Sequence, residues 1–271
     1  MSRTSVATCL LNCGSDKHER GSFARNLFAL LSSPVSKIKT MSLVTWLRGK
    51  ARTTVDGVFC SSSPDIKWVG NEHSGWVISV NPPPRVAYCA GVGLGISFEL
   101  ELSKMTQKPV LVFDPSPTGI ATIAKSDTRN LEFFPVGLAA HAGSIEFSLP
   151  KDAAEGSYSV VQDGIETISF ECYDLPTTMS RNGDSSIDLL KMDIEGFEYD
   201  IVNRLLDERV PVRQICVEFH HWLRPGATLK TIMRLYRAGY RIIHKRRGDY
   251  TFLLKESRYA ELQRSHRQQL A

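Results

Sequence analysis

From about Arg85 onward, short apolar runs alternate with amphipathic segments, and this alternation constrains the fold more than any other feature of the chain. Strands apolar at nearly every position must be covered on both faces, the environment of parallel strands joined by crossover helices. The expected strands are RVAYC at Arg85 to Cys89, VLVF at Val110 to Phe113, the stretch from Leu131 to Val136, IDLLKM at Ile187 to Met192 and QICVEF at Gln214 to Phe219. Between them, Phe98, Leu102 and Met105, then Phe197, Ile201 and Leu205, then Leu229, Ile232, Met233 and Tyr236 recur at helical spacing. Pro211 stops the second of these helices and Gly239 the third. His141 to about Asp174 reads as an insertion with two extended pieces, SIEFSL and TISFECY, around a Gly- and Asp-rich loop. Tyr240 to His244 and Tyr250 to Leu254 form a hairpin across the basic link Lys245 to Asp249. The expected class is α/β: a doubly wound, mostly parallel sheet ending in an antiparallel C-terminal hairpin strand.

With 42% hydrophobic and 23% charged residues in 271, the chain can bury a substantial core, and no Gly/Ser- or Pro-rich linker divides the series. One main domain is therefore expected over 56–258, with a basic, partly helical or disordered extension over 1–55 and a tail over 259–271. The net charge is only +4, but its excess lies upstream. Before Asp56, nine cations (Arg3, Lys17, Arg20, Arg25, Lys37, Lys39, Arg48, Lys50 and Arg52) face only Asp16 and Glu19. Such a segment could meet acidic lipid or nucleic acid, although a solvated extension is the preferred reading. No apolar run is long enough to span a bilayer. The six cysteines lack the paired spacing of a zinc site and the density of a disulfide scaffold, which points to a reducing cytoplasm. Cys89 and Cys216, inside apolar runs, read as small buried hydrophobes.

The most informative motif is Cys89-Ala90-Gly91-Val92-Gly93-Leu94-Gly95, which follows a strand and precedes a helix. Glycines there let the backbone approach a ligand, and the helix start offers free N–H groups. The spacing is G-x-G-x-G; the dinucleotide fingerprint G-x-G-x-x-G would need glycine where Ile96 stands, which weakens a nicotinamide reading. At the next strand end, in VFDPSP, Asp114 can accept both hydroxyl hydrogens of a ribose. An Asx turn before Pro115 is the plainer alternative. Together, in this order on consecutive strands, the two features point to a nucleotide-like cofactor.

Ligands in open α/β sheets bind outside the carboxyl ends of the strands, where Asp193, Glu195, Glu198, Glu218, His220 and His221 fall. A histidine of near-neutral pKa could take a proton from an acceptor, and alternation along the chain would point only one of His220 and His221 inward. Asp193 is the other candidate base, or the group that orients the histidine. Glu195 and Glu198 begin a helix and are read first as complements to its dipole. Glu218 inside an apolar strand needs a partner. Either an ordinary hydrogen bond or a divalent metal shared with Asp193 and His220 would supply one, and such ligation would suit magnesium or manganese. Asn81-Pro82-Pro83-Pro84 is similar to the N-P-P-aromatic loop of amino-methylating nucleic-acid enzymes, but Pro84 replaces the aromatic, so it reads as a rigid lead into the sheet. Lys67 to Trp76 combines aromatics, glycines and polar groups in a way that suits a cap over a substrate.

Four stretches, VAYCAGVGLGISFELEL, VFDPSP, LLKMDIEGFE and ICVEFHHW, resemble the FkbM-type methyltransferases, and more closely the branch that includes methyltransferase-like protein 24. The resemblance covers roughly Trp68 to Leu254, with Cys89 where many members carry Asp. It implies a Rossmann-like class I methyltransferase sheet and S-adenosylmethionine as cofactor. Cys89, Gly91, Gly93, Gly95, Asp114 and Pro115 would face that cofactor, and Asp193, Glu218, His220 and His221 a small-molecule, saccharide or natural-product hydroxyl. Two alternatives stay open: a non-catalytic Rossmann-like binding protein, and a nucleic-acid methyltransferase drawing on the basic extension.

Overall fold

The computed structural model describes residues 59–61, 63, 65–151 and 156–270. The basic extension read over 1–55, with Cys9 and Cys13, lies outside the described residues. The first named strands form an antiparallel pair, β1 (Ile66–Val69) and β2 (Trp76–Ser79). It continues through β3 (Ala87–Ala90), α1 (Ser97–Leu102), β4 (Val110–Phe113), α2 (Pro117–Ala124) and β5 (Leu131–Phe134). The insertion contributes β6 (Gly137–Leu138), β7 (Gly143–Ser148) and β8 (Thr167–Tyr173), followed by α3 (Leu175–Asn182). The series resumes with β9 (Ile187–Met192), α4 (Glu198–Asp207), β10 (Val212–Glu218), α5 (Ala227–Ala238), β11 (Tyr240–Arg246), β12 (Asp249–Leu254) and α6 (Glu256–Leu270). Among the described residues no helix is long and apolar enough to cross a membrane.

Seven strands form the main sheet in the order β11-β12-β10-β9-β3-β4-β5, and β6-β8-β7 form a separate three-stranded sheet. β5, β4, β3, β9 and β10 run parallel, while β12 is antiparallel to both β10 and β11. This is the doubly wound, Rossmann-like arrangement expected from the sequence. From β3 the chain moves outward to β5, then returns to β9 beside β3 and moves out the other way. Right-handed crossovers therefore place the two sets of helices on opposite faces. The crevice where the strand order reverses lies between the carboxyl ends of β3 and β9.

Every residue of β3, β4 and β9 is buried, as two-sided coverage demands. Polar groups inside these strands are consequently all engaged. Asp188 accepts from the Arg85 and Val86 N–H groups and from the Tyr259 hydroxyl of α6. Because those two N–H groups go to Asp188, the ladder of β3 starts at Ala87 rather than at Arg85. β5 ends at Phe134 because Pro135 has no N–H to continue it. The link expected over Lys245 to Asp249 is shorter in the structure. Lys245 pairs Tyr250 and Arg246 pairs Asp249, opposite charges facing across the ladder, so only Arg247 and Gly248 turn.

Gln214 ties the β1–β2 pair to the main sheet: its side chain accepts from the Ser79 N–H and donates to the Ser79 carbonyl, both at 3.0 Å and fully buried. Replacing it with methionine of similar volume leaves both backbone groups unpaired. Gln214→Met should lower stability by about 1–3 kcal/mol, read as a shift of the urea midpoint at unchanged slope.

Candidate active site

The glycine turn is built by close backbone approach. Gly91 takes φ +85° and donates its N–H to the Phe113 carbonyl of β4 at 2.9 Å. A Cβ built on Gly91 would overlap the carbonyl oxygen of Asp193, so only glycine allows the ends of β3 and β9 to lie this close. Gly93 also has positive φ, +55°, and Gly95 faces the Ser74 hydroxyl.

Asp114 closes the turn from the other side. One carboxylate oxygen accepts from the N–H groups of Val92 (2.7 Å) and Gly93 (3.2 Å), and the other from Ser116 N–H (2.8 Å). Three of its roughly four lone-pair positions are thus committed to backbone, leaving room for one hydroxyl rather than the ribose pair read from sequence. The Asx turn and the loop support coexist in one side chain. Cys89 is not brought into the cavity; it packs in the core with Val92, Val112 and Cys216, because alternation along β3 turns it away. Pro115 lines the cavity wall.

Behind the glycines lies Lys191, buried in β9, which donates to the Gly91 carbonyl and pairs with Glu99 of α1 at 3.5 Å. Burial acts against its charge, but Glu99 and Asp193 outweigh burial and hold its pKa above the ordinary lysine value. The sequence signal was available: a lysine within IDLLKM demands a partner as Glu218 does.

At the ends of β9 and β10 the acids converge. Glu198, fully buried at the start of α4, accepts from His220 Nδ1 at 2.6 Å and from the Ile194 N–H at 3.3 Å. The helix-dipole reading is therefore too small for Glu198, whose main partner is an imidazole from the next strand end. His220 is itself buried, and its Nε2 faces Glu195 Oε2 at 3.3 Å and Asp193 Oδ1 at 3.7 Å. Glu195 sits at φ +51°, an uncommon backbone state for a side-chain-bearing residue. Burial alone would lower the His220 pKa, but the Glu198 hydrogen bond and the neighbouring carboxylates raise it to about 9. Burial, reinforced by Asp193 and Asp249, pushes Glu218 up to about 7, and burial with Asp193 brings Asp249 to about 6. His221 is exposed, its ring edge-on to Trp222 and outside the cavity lining.

Of these groups, Asp193, Glu195, Glu218 and Asp249 border a cavity of about 680 Å³ that runs from the glycine turn to the acid cluster, with His220 and Glu198 buried behind them. Asn71 to Gly75 form one wall, within the Lys67 to Trp76 segment read as a cap, and Phe147 and Tyr158 from the inserted region form another. Arg246, Arg247 and Asp249 reach it from the β11–β12 turn.

A family model described as the methyltransferase FkbM domain matches residues 68–242. The chain belongs to this methyltransferase family. Among solved structures it is similar to the methyltransferase FkbM from Methylobacillus flagellatus KT, at 11% identity and a TM-score of 0.38, over 63% of this chain and 43% of that one. The chain thus spans less than half the length of that protein. A comparison with curated proteins finds no match. In this FkbM-domain protein the residues able to hold a cofactor are Gly91 and Gly93, which line the cavity with no side chain to fill it, and Asp114, through its remaining lone pair; Lys191 lies beneath them.

Two outcomes follow for the turn. Gly91→Ala should abolish ligand binding at the cavity and lower the melting temperature by several degrees, since the methyl group must push β3 and β9 apart. Asp114→Asn, which cannot accept from all three backbone donors, should cost about 1–3 kcal/mol in chemical denaturation even without ligand.

Proposed function

We propose that this methyltransferase transfers the methyl group of S-adenosylmethionine to a hydroxyl of a small, saccharide-like acceptor. The observation that carries the reading is one cavity lined by the glycine turn at one end and by Asp193 and Glu218 at the other, with His220 close behind these two carboxylates. The open space beside Gly93, where a Cβ would meet nothing within 4 Å, fits a cofactor laid against bare backbone. S-adenosylmethionine, when bound, supplies a sulfonium methyl group that passes to the acceptor oxygen, the S–C bond breaking as the O–C bond forms.

The chain's own residues then have two tasks. Gly91, Gly93 and Asp114 fix the cofactor end, so that acceptor and donor are held in line; such positioning is the main source of rate. The hydroxyl proton passes to one carboxylate oxygen of Asp193, which with Glu218 lines the cavity, while His220 stands behind them. His221, exposed outside the lining, takes no part. The Asn81 to Pro84 segment gives no support to nucleic-acid methylation: the Asn81 and Pro82 carbonyls accept from Arg213, and neither residue lines the cavity.

Calorimetric titration with S-adenosylmethionine and S-adenosylhomocysteine should give micromolar binding, with none for NAD. Methyl transfer to a panel of hydroxylated acceptors should fall on the order of 10²-fold or more in Asp193→Asn, with cofactor affinity retained. A preference for NAD, or full turnover in that variant, would overturn the reading.

A further inference from the structure

His220 is the most constrained group of the cluster. It is almost wholly buried, and its Nδ1 donates to Glu198, itself fully buried. That contact fixes the ring and turns Nε2 toward the carboxylates of Glu195, 3.3 Å away, and Asp193, 3.7 Å away, both of which line the cavity. One atom each of Asp193, Glu218 and His220 lie within 4.8 Å of one another. An imidazole anchored through one nitrogen by a carboxylate, with the other aimed at two further carboxylates, is the arrangement by which proteins orient a histidine toward a metal.

Charge points the same way. Asp193, Glu195, Glu198, Glu218 and Asp249 converge here; Arg246 and Arg247 offset Asp249, and Lys191, the buried lysine nearby, is already engaged by Glu99 and the Gly91 carbonyl. Carboxylates crowded in a half-buried cleft are costly without a compensating cation. Glu198 is rigid and set back, whereas the Asp193 side chain is 39% exposed and makes no hydrogen bond, so it is free to close on an ion. With metal–ligand bonds of roughly 2 Å, Asp193 and Glu218 need to move inward by about an ångström each.

We propose that Asp193, Glu218 and His220 form a site for one divalent metal ion of the manganese type, with Glu198 as the carboxylate that orients the histidine. The single imidazole among oxygen donors favours Mn²⁺ over Mg²⁺ or Ca²⁺, which prefer oxygen throughout. Three protein ligands leave coordination positions open toward the cavity, as in metal sites that bind a substrate oxygen. That the ion meets the acceptor hydroxyl rests on the function proposed above; binding of the ion itself does not.

The test is titration of the metal-stripped, full-length protein with Mn²⁺, followed by calorimetry and by loss of the free-ion electron paramagnetic resonance signal. We expect one Mn²⁺ per chain, bound more tightly than Mg²⁺. Asp193→Asn and His220→Ala should each weaken binding at least tenfold. Glu198→Gln, which removes no ligand atom, should weaken it roughly 10- to 100-fold. Asp200→Asn, an acid on α4 paired with Arg224, should leave it unchanged. If His220→Ala fails to fold, Asp193→Asn carries the test, because that carboxylate has no hydrogen bond to lose. Absence of saturable Mn²⁺ binding by folded protein, or binding indifferent to Asp193→Asn, would overturn the site and leave His220 as an imidazolium bridging carboxylates. S-adenosylmethionine binding measured on the same metal-free sample keeps the two readings apart, since its failure with Mn²⁺ binding intact would count against the function alone.

Discussion

The approach of Gly91 to the Asp193 carbonyl is the constraint from which the rest of the site follows. It brings the ends of β3 and β9 together at the point where the strand order reverses, and the Asp193 N–H completes the junction by donating to the Ala90 carbonyl at 3.1 Å. Any side chain at position 91 would wedge these ends apart. With the junction closed, the glycine turn, the Asp114 carboxylate and the start of the acid cluster share one cavity wall. The opening is left on the side where crossover connections diverge, which is where open α/β sheets hold ligands.

A second theme is the handling of charge in a sheet buried on both faces. Asp188, Lys191, Arg213 and Gln214 all occupy interior strands, and each is tied to backbone or to an opposite charge. Two of these ties also build architecture: Gln214 and Arg213 anchor the segment around β2 against β10. Lys191 differs, since it lines the cavity with its partner Gly91 while its other partner, Glu99, is buried behind, so the charge pair couples the core to the site. At the strand ends the balance reverses, and acids outnumber the cations that could neutralise them. The raised pKa values of Glu218 and Asp249 are the direct electrostatic result.

Much of this was legible in the sequence because the relevant signals are local. An apolar run such as IDLLKM or VLVF reports burial on both faces, and every residue of those two strands is buried. Gly239 ended its helix as expected because a left-handed cap favours glycine, here at φ +108°. Element ends were less legible. Arg85 dropped out of β3 because Asp188, a residue 103 positions away, takes its N–H, and β11 ran on to Arg246 because a cross-strand acid compensates its charge. At the site, residue types and strand ends could be named, but the partner of each could not. Glu198 reads as a helix-start acid on its own segment and becomes the partner of His220 only when α4 and β10 are placed together.

The sequence by itself determined the alternation of strands and helices, the glycine turn with its acidic neighbour on the following strand, and the concentration of acids and histidines after the fourth and fifth strands. Those features are set by periodicity and backbone conformation, which act over a few residues. The tertiary structure alone decided that Asp114 spends its lone pairs on the loop, that Cys89 faces the core, that Lys191 underlies Gly91, and that His220 rather than His221 points toward Asp193. Each of these is a contact between segments distant in sequence or a choice between two faces of one strand. Such outcomes depend on how crossovers stack the strands, a geometry that no local pattern encodes.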